Sequence, residues 1–295
     1  MIRVAWLTGA SWRGGALREG ELPAPDAEDF ALAAPLGMAL GISLEIRRWD
    51  DPDIAAQGFA AALVRSTWDY ADRVDAFIAR LTALEAAAVR VFNPPAVVRW
   101  NARKTYLEDL AEQGAPTIPT LWAANAAPEL VARAFETFEA AEIVIKPQLG
   151  AGSRQTIRLK RNAWTTADLI GAPTAAVMIQ PFLPGIQTTG ETSLFYFGGA
   201  PAHVIQKRPA PGGWYANVDG ARFVRGQASP AQRAAAEQVL SLAPAGMLYA
   251  RVDLVDGADG RPRLIELEAI EPYLFFGFAP DAAAVFVDAV RAALA

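Results

Sequence analysis

The strongest constraint on the fold is a pair of apolar segments near the end of the chain, residues 251–255 and 264–268, with charged residues at alternating positions. Residues 256–260 between them are rich in Asp and Gly, which favour a hairpin turn. Because side chains of a strand alternate between its faces, the pattern predicts a β-hairpin with three carboxylates on one face. These are Asp253, Glu266 and Glu268.

Three carboxylates so close together would repel one another and raise one another's pKa. A bound cation would remove that repulsion. Oxygen ligands favour Mg²⁺ or Mn²⁺, and the chain offers zinc no cysteine and only one histidine. We therefore predict a Mg²⁺ or Mn²⁺ site at these carboxylates, with the solvated outer face of an edge hairpin as the alternative.

Composition narrows the class of protein. With 295 residues, 53% of them hydrophobic, the chain can bury a core for two or three lobes. The net charge of −5 argues against nucleic-acid or membrane-surface partners, which would need a basic patch. Residues 1–8 predict a first strand rather than a signal peptide, and no apolar run is long enough to span a bilayer. We expect a cytoplasmic protein.

The chain divides into three predicted domains, 1–95, 96–180 and 181–295. Strands and helices alternate in the first, which is typical of an α/β fold with a parallel sheet, and the other two are α+β lobes. Pro94 and Pro95 are expected to stop regular structure between the first two. The predicted strands outside the hairpin are 2–8, 42–49, 61–65, 90–92, 142–146, 155–160, 176–179, 191–197 and 203–207. The predicted helices are 26–40, 72–88, 102–113, 127–140, 230–243 and 280–294.

Two features indicate phosphate binding. Lys146 ends an apolar strand and precedes a small-residue loop that contains Gly150 and Gly152. The N–H groups of such a loop can hold phosphate oxygens, and a neighbouring ammonium adds positive charge. A glycine turn alone is also typical of hairpins, and Lys104, near a predicted helix start, is by itself typical of a surface lysine.

Residues 180–185 leave a predicted strand as a proline-bounded linker. The free N–H and C=O groups of such a linker can contact the edge of an adenine while Phe182 or Leu183 covers its face. The alternative is an ordinary linker between domains.

In chain order, these motifs are a lysine, a strand lysine with a glycine loop, a Gln-x-Phe-Leu linker, Arg-x-Asp and Glu-x-Glu. This order resembles the ATP-grasp superfamily over residues 93–280. The resemblance implies an ATP-grasp fold, an N-terminal pre-ATP domain, ATP and Mg²⁺. It also implies roles for the matching residues. Lys104 and Lys146 would contact phosphates, Gln180, Phe182 and Leu183 the adenine, Asp253 and Glu266 the metal, and Arg251 the transferred phosphoryl group, with Arg251 and Lys146 as the catalytic residues.

Two positions depart from the family pattern. Glu268 stands where the family usually has Asn, and it can still bind metal. Glutathione-synthetase-like members often carry a Phe-Arg-x-Asn stretch, in which this chain has Tyr215 instead of Arg and keeps Asn217 as a candidate substrate contact. The change disfavours a glutathione-synthetase-like substrate.

A closer resemblance covers most of the chain and rests on residues 65–70, 100–107, 116–120 and 266–272. These stretches are similar to the ATP-grasp group that contains the D-cycloserine-forming ligase, which closes a ring from O-ureido-D-serine at the expense of ATP. Within this resemblance, Arg65 offers a planar fork to a substrate carboxylate and Asp69 an acceptor to an amine. The alternative is a strand-to-helix junction in which Asp69 or Asp72 is an N-cap.

One predicted strand carries the single histidine, His203, and Lys207 on the same face. Between apolar neighbours, a lone histidine is typical of a structural group. Lys207 is a candidate phosphate contact, with a solvated strand lysine as the alternative.

We predict an ATP-dependent carbon–nitrogen ligase. ATP would phosphorylate a carboxylate or carbonyl-type oxygen of a small amino-acid-like substrate, and an amine would then displace phosphate to form an amide or a ring. The alternative is a catalytically silent ATP-binding regulatory protein, but the retained lysines, arginine and carboxylates favour an enzyme. We expect no nucleic-acid or membrane partner and allow a homodimer.

Overall fold

The structure, a computed structural model, describes residues 1–12, 15–18, 20–150, 155–216 and 220–295. Its first part is a parallel sheet in the order β4-β1-β5-β6, with β2 and β3 as a separate short hairpin. The elements are β1 (Ile2–Thr8), β2 (Ser11–Trp12), β3 (Gly15–Ala16), α1 (Ala24–Ala39), β4 (Ile42–Arg48), β5 (Ala61–Ser66), α2 (Val74–Ala86) and β6 (Arg90–Phe92).

Both faces of this parallel sheet are buried, as its apolar strands require. Along β1, Val4 and Trp6 point into one core while Ala5 and Leu7 point into another. The predicted parallel α/β sheet in the first part of the chain is confirmed.

The second part is an antiparallel sheet in the order β7-β10-β8-β9. Its elements are α3 (Pro95–Asn101), α4 (Tyr106–Glu112), β7 (Leu121–Ala123), α5 (Pro128–Thr137), β8 (Glu142–Pro147), β9 (Ile157–Lys160) and β10 (Val177–Pro181). As predicted, β6 ends at Phe92 before the prolines, but Pro95 already occupies the first turn of α3, where a proline needs no N–H partner. The predicted helix 102–113 is the shorter α4, and neither α3 nor β7 was predicted.

The third part is a five-stranded antiparallel sheet in the order β13-β12-β11-β14-β15. Its elements are α6 (Gly185–Thr188), β11 (Glu191–Phe197), β12 (Ala200–Arg208), β13 (Arg222–Arg225), α7 (Pro230–Leu242), β14 (Tyr249–Asp256), β15 (Pro262–Glu268) and α8 (Asp281–Leu294). The predicted carboxylate hairpin is confirmed as β14 and β15, whereas β13 was not predicted. The part of the chain that the structure describes also contains three short 3₁₀ turns, at Ile54–Gln57, Tyr70–Asp72 and Thr166–Gly171.

The first and third parts share one hydrophobic core. The last helix, α8, packs against α1, and Phe286 lies edge-on to Trp6 of the parallel sheet at 6.3 Å between ring centroids. The mixed α/β fold class is confirmed, and the division into three domains stays a prediction.

Side chains of the second part pair the free edge of β15. Asn101 donates to the Leu267 carbonyl and accepts from the Ala269 N–H, and the Tyr106 hydroxyl accepts from the Leu267 N–H. An edge strand exposes unpaired backbone groups, and these bonds satisfy them. The end of α3 thus holds the strand that carries Glu266 and Glu268.

Candidate functional site

A cleft lies between the second and third sheets, and strands β8 and β10 form one of its walls. Side chains alternate along these two strands, so that one set enters the apolar core against α5 and the other set faces the cleft. The core-facing residues are Ile143, Ile145, Val177 and Ile179. The cleft-facing residues are Val144, Lys146, Met178 and Gln180.

The opposite wall comes from the third sheet. Val255 of β14 and three residues of β15, Ile265, Glu266 and Glu268, line the cleft. A β-bulge shifts the β14–β15 register between Asp253 and Leu254. The extra residue lets the consecutive Ile265 and Glu266 both line the cleft, while Leu264 and Leu267, three residues apart, both enter the core.

Lys104 lies between α3 and α4, where its N–H donates to the Gln148 carbonyl at 2.7 Å. Its ammonium lines the cleft and forms an ion pair with Glu266. Burial would lower the pKa of Lys104, but the charge and hydrogen bond of Glu266 outweigh burial and raise it. The structure therefore brings Lys104 beside a predicted metal ligand.

Lys146 is the cation of this cleft that lacks a carboxylate partner among the described residues. Its Nζ donates to Gln180 Oε1 at 3.2 Å. Burial, followed by repulsion from Lys104, lowers the pKa of Lys146 to about 8. An anion such as phosphate would relieve both effects. Gly150 also lines the cleft, with φ of 152°, whereas Gly152 lies outside the described residues.

The predicted adenine linker lies at an apolar part of the cleft. Phe182 and Leu183 pack with the cluster of Ile118, Ile186, Ala216 and Val255. Gln180 is fixed by a hydrogen bond to the Thr120 hydroxyl at 2.9 Å. The expectation that the whole linker backbone is free was wrong, because the Phe182 N–H donates to the Glu142 carbonyl at 2.9 Å. The Arg158 guanidinium lies over the Phe182 ring at 3.5 Å.

Asp253 does not line the cleft with the other two carboxylates. It is 1% exposed and accepts hydrogen bonds from Ser193, Arg251 and Lys207. Burial would raise the pKa of Asp253, but Arg251 and Lys207 outweigh burial and hold it well below its usual range. The expectation of a raised pKa at every carboxylate was thus wrong for Asp253. It is right for Glu268, where burial outweighs the attraction of Arg251 and raises the pKa to about 7.

Arg251 and Lys207 are buried in ion pairs rather than lining the cleft. The Arg251 guanidinium is 4% exposed and pairs with Asp253 and Glu268. Lys207 is fully buried between Glu191, at 2.7 Å, and Asp253, at 3.3 Å. The proposed contacts of these cations with phosphate stay predictions, and the present ion pairs would have to open for Lys207 to make one.

Arg65 and Asp69 also lie away from the cleft. Arg65 is fully buried, donates to the Pro272 carbonyl and faces the Tyr249 ring at 4.9 Å. Asp69 accepts from the Trp49 indole and the Ala10 N–H, both at 2.8 Å. These contacts indicate structural roles for both residues, but the N-cap alternative was wrong, because neither Asp69 nor Asp72 caps a helix with its side chain. Direct contact of Arg65 and Asp69 with substrate stays a prediction. Asn217 lies outside the described residues.

Several residues of the cleft were not predicted as site residues, although the stretches that carry the resemblance contain all of them except Glu191. These are Trp68, Tyr70, Asn101, Glu191, Ile270 and Glu271. The sequence signal for Glu191 is that Glu191 and Ser193 alternate at the start of an otherwise apolar strand, and only the folded register places Ser193 opposite Asp253.

The cleft fits a divalent cation held partly by phosphate. Within the described ranges, no three His, Asp or Glu side chains form a group that could hold a metal by themselves. Glu266 and Glu268 nevertheless both line the cleft beside Lys104. Mg²⁺ is commonly held by one or two carboxylates together with substrate phosphates, and these two residues meet that requirement.

Comparison with known proteins gives consistent results. A family model described as the N-terminal domain of the D-cycloserine synthetase DcsG matches residues 4–93. The cycloserine biosynthesis protein DcsG of Streptomyces lavendulae is 35% identical over 267 residues, which are 85% of this chain and 89% of that protein. The crystal structure of D-cycloserine synthetase DcsG has a TM-score of 0.83 at 30% identity and covers 99% of this chain and 100% of that one.

A more distant structure shows the same fold. The ATP-grasp ligase PsnB, solved with a minimal precursor, Mg and ADP, has a TM-score of 0.67 at 19% identity and covers 99% of this chain and 98% of that one. The similar proteins are ligases or synthetases. These similarities support the prediction of an enzyme and give no support to the alternative of a catalytically silent ATP-binding protein.

Proposed function

This chain belongs to the family of the D-cycloserine synthetase DcsG, and we propose from that premise that it activates the carboxylate of a small amino-acid-like substrate with ATP. The chain is an ATP-grasp ligase that forms carbon–nitrogen bonds. The observation that carries the proposal is one cleft with an apolar linker pocket, the unpaired cation Lys146, and Glu266 with Glu268. These are the groups that a nucleotide base, its phosphates and their metal require.

In this proposal the apolar pocket at Phe182 and Leu183 holds the adenine. Lys146 and Lys104 contact the phosphates, and Glu266 and Glu268 hold Mg²⁺. Mg²⁺ bound there would neutralise charge on the phosphate oxygens. ATP positioned in this way meets the carboxyl substrate on the side of the cleft formed by the first sheet domain.

The chemistry then needs two transfers. The substrate carboxylate attacks the γ-phosphorus, ADP leaves, and an acyl phosphate forms. An amine attacks the acyl carbon, loses one proton and displaces phosphate, so that ATP, acid and amine give ADP, phosphate and an amide or a ring. Arg251, held by Asp253 and Glu268, supplies positive charge behind this position.

The test is release of ADP by the purified protein with Mg²⁺, ATP and a panel of D- and L-amino acids and O-ureido-D-serine. We expect at least one of these compounds to accelerate ADP release, and excess EDTA to abolish the reaction. A protein that binds Mg²⁺ with the ATP analogue AMPPNP but releases no ADP with any of them would contradict the proposed function.

A further inference from the structure

Glu271 is a carboxylate of the cleft that the proposed nucleotide and metal site does not use. It lies three residues beyond β15, lines the cleft and is 6% exposed. Its neighbour Ile270 packs into the core of the parallel sheet, and Trp68 and Tyr70 line the same cleft. Glu271 is therefore on the side of the cleft that the first domain closes.

Two cations lie near Glu271, but neither pairs with it. Both attract its charge through space, but burial and repulsion by Glu268 and Glu266 outweigh them and raise the pKa of Glu271 well above its usual range. Lys104 makes its ion pair with Glu266. Arg65 donates through Nη2 to Pro272, and its Nε and Nη1 are buried without a partner. Across the described residues, Glu271 makes no ion pair or hydrogen bond.

An enclosed carboxylate without a partner is unfavourable, and a protein retains one where a ligand supplies the partner. Phosphate and Mg²⁺ would satisfy Lys146, Glu266 and Glu268 in the proposed function, but they leave Glu271 unpaired. The group that complements it is a small cation with hydrogen-bond donors.

We propose that Glu271 binds the α-ammonium group of the substrate and thereby selects amino acids over hydroxy acids. This inference rests on the proposed function, because it places the ammonium beside the carboxylate that ATP activates.

The test compares the best amino acid of the turnover panel with its 2-hydroxy analogue, for example serine with glycerate. In the wild type we expect a clear preference for the amino acid. Glu271→Gln should lower kcat/KM for the amino acid roughly 10- to 100-fold, mainly through KM, as expected for a lost charge-assisted contact. Activity with the hydroxy analogue and the Kd of Mg²⁺ with AMPPNP should stay within about twofold.

Two variants serve as controls. Glu112→Gln removes an exposed carboxylate outside the cleft. It should change neither the preference for the amino acid over its hydroxy analogue nor the Kd of Mg²⁺ with AMPPNP. Glu271→Asp keeps the charge and should retain part of the preference, and it decides the question if Glu271→Gln does not fold.

Three results with Glu271→Gln would overturn the assignment of Glu271 and leave the proposed function standing. They are an unchanged preference for the amino acid, an equal loss of kcat/KM with both substrates, and a large loss of affinity for AMPPNP. A wild type that binds Mg²⁺ and AMPPNP but turns over no amino acid would contradict the proposed function itself, and with it this assignment.

Discussion

At the scale of single residues, the state of Lys146 makes the sharpest prediction. Its ammonium is buried against Gln180, with no carboxylate partner among the described residues. Lys146→Ala should weaken binding of Mg²⁺ with AMPPNP by about 1.5–3 kcal/mol, the range of a charge-assisted contact. The matched control is Lys160→Ala, which removes an exposed lysine of β9. Calorimetric affinities that fall equally in the two variants would contradict the role of Lys146.

Asp253 and Glu266 should respond differently to loss of their charge. Asp253→Asn leaves Arg251 and Lys207 buried without their shared partner and should lower the free energy of unfolding by about 3 kcal/mol or more. Glu266→Gln, in the open cleft, should abolish turnover at near wild-type stability. Urea unfolding compares the stability of the two variants, and ADP release compares their turnover. A stable Asp253→Asn variant that has lost only activity would instead place Asp253 at the metal.

At the scale of elements, the side-chain pairing of β15 should position the carboxylates. Asn101→Ala leaves the Leu267 carbonyl and the Ala269 N–H buried without partners, which should cost about 2–4 kcal/mol of the free energy of unfolding. Gln113→Ala, at an exposed helix end, is the control. Denaturant unfolding measures the free energy of unfolding of both variants. Equal values for Asn101→Ala and Gln113→Ala would show that water replaces the amide of Asn101.

The alternation of strand residues explains which parts of the site were predictable. Lys146 and Gln180 alternate with core residues, so the sequence alone indicates both as facing away from the core. The buried ion pairs of Arg251 and Lys207 were not predictable. Asp253 and Lys207 are 46 residues apart in the sequence, and only the order of strands in the folded sheet brings them together. Arg65 likewise finds Pro272 only through tertiary packing, 207 residues along the chain.

At the scale of the whole molecule, a buried carboxylate of α1 links the first part of the chain to the loop that follows β15. Asp29 accepts from the Leu274 and Phe276 N–H groups, both at 2.8 Å. Burial and repulsion by Asp26 outweigh these bonds and raise the pKa of Asp29 to about 7. Because an unfolded Asp has a pKa near 3.9, the folded state binds the extra proton, and stability is lost as pH rises from about 4 to 7.

Asp29→Asn should therefore reduce the fall in the free energy of unfolding over this pH range. The contribution of Asp29 is roughly 4 kcal/mol at most. Urea unfolding at pH 5, 6 and 7 measures the slope, with Asp288→Asn on the exposed face of α8 as the control. A variant with the wild-type slope would show that Asp29 is not the group that titrates.

The order of motifs along the chain predicted the family, whereas the return of α8 to the first sheet had no local signal. That packing depends on apolar faces that any helix could offer, and only the folded chain selects Trp6 as the neighbour of Phe286. No helix in the described ranges has the length and apolar character needed to cross a bilayer. The cytoplasmic setting and the homodimer stay predictions.

The central claim is that ATP activates a substrate carboxylate by phosphorylation, and transfer of an isotope tests it most directly. The best substrate of the panel is labelled with ¹⁸O in its carboxylate and turned over with Mg²⁺ and ATP. Our account predicts ADP and phosphate that carries one ¹⁸O from the substrate, since the acyl phosphate breaks at its C–O bond. Unlabelled phosphate, or AMP with pyrophosphate, would contradict it.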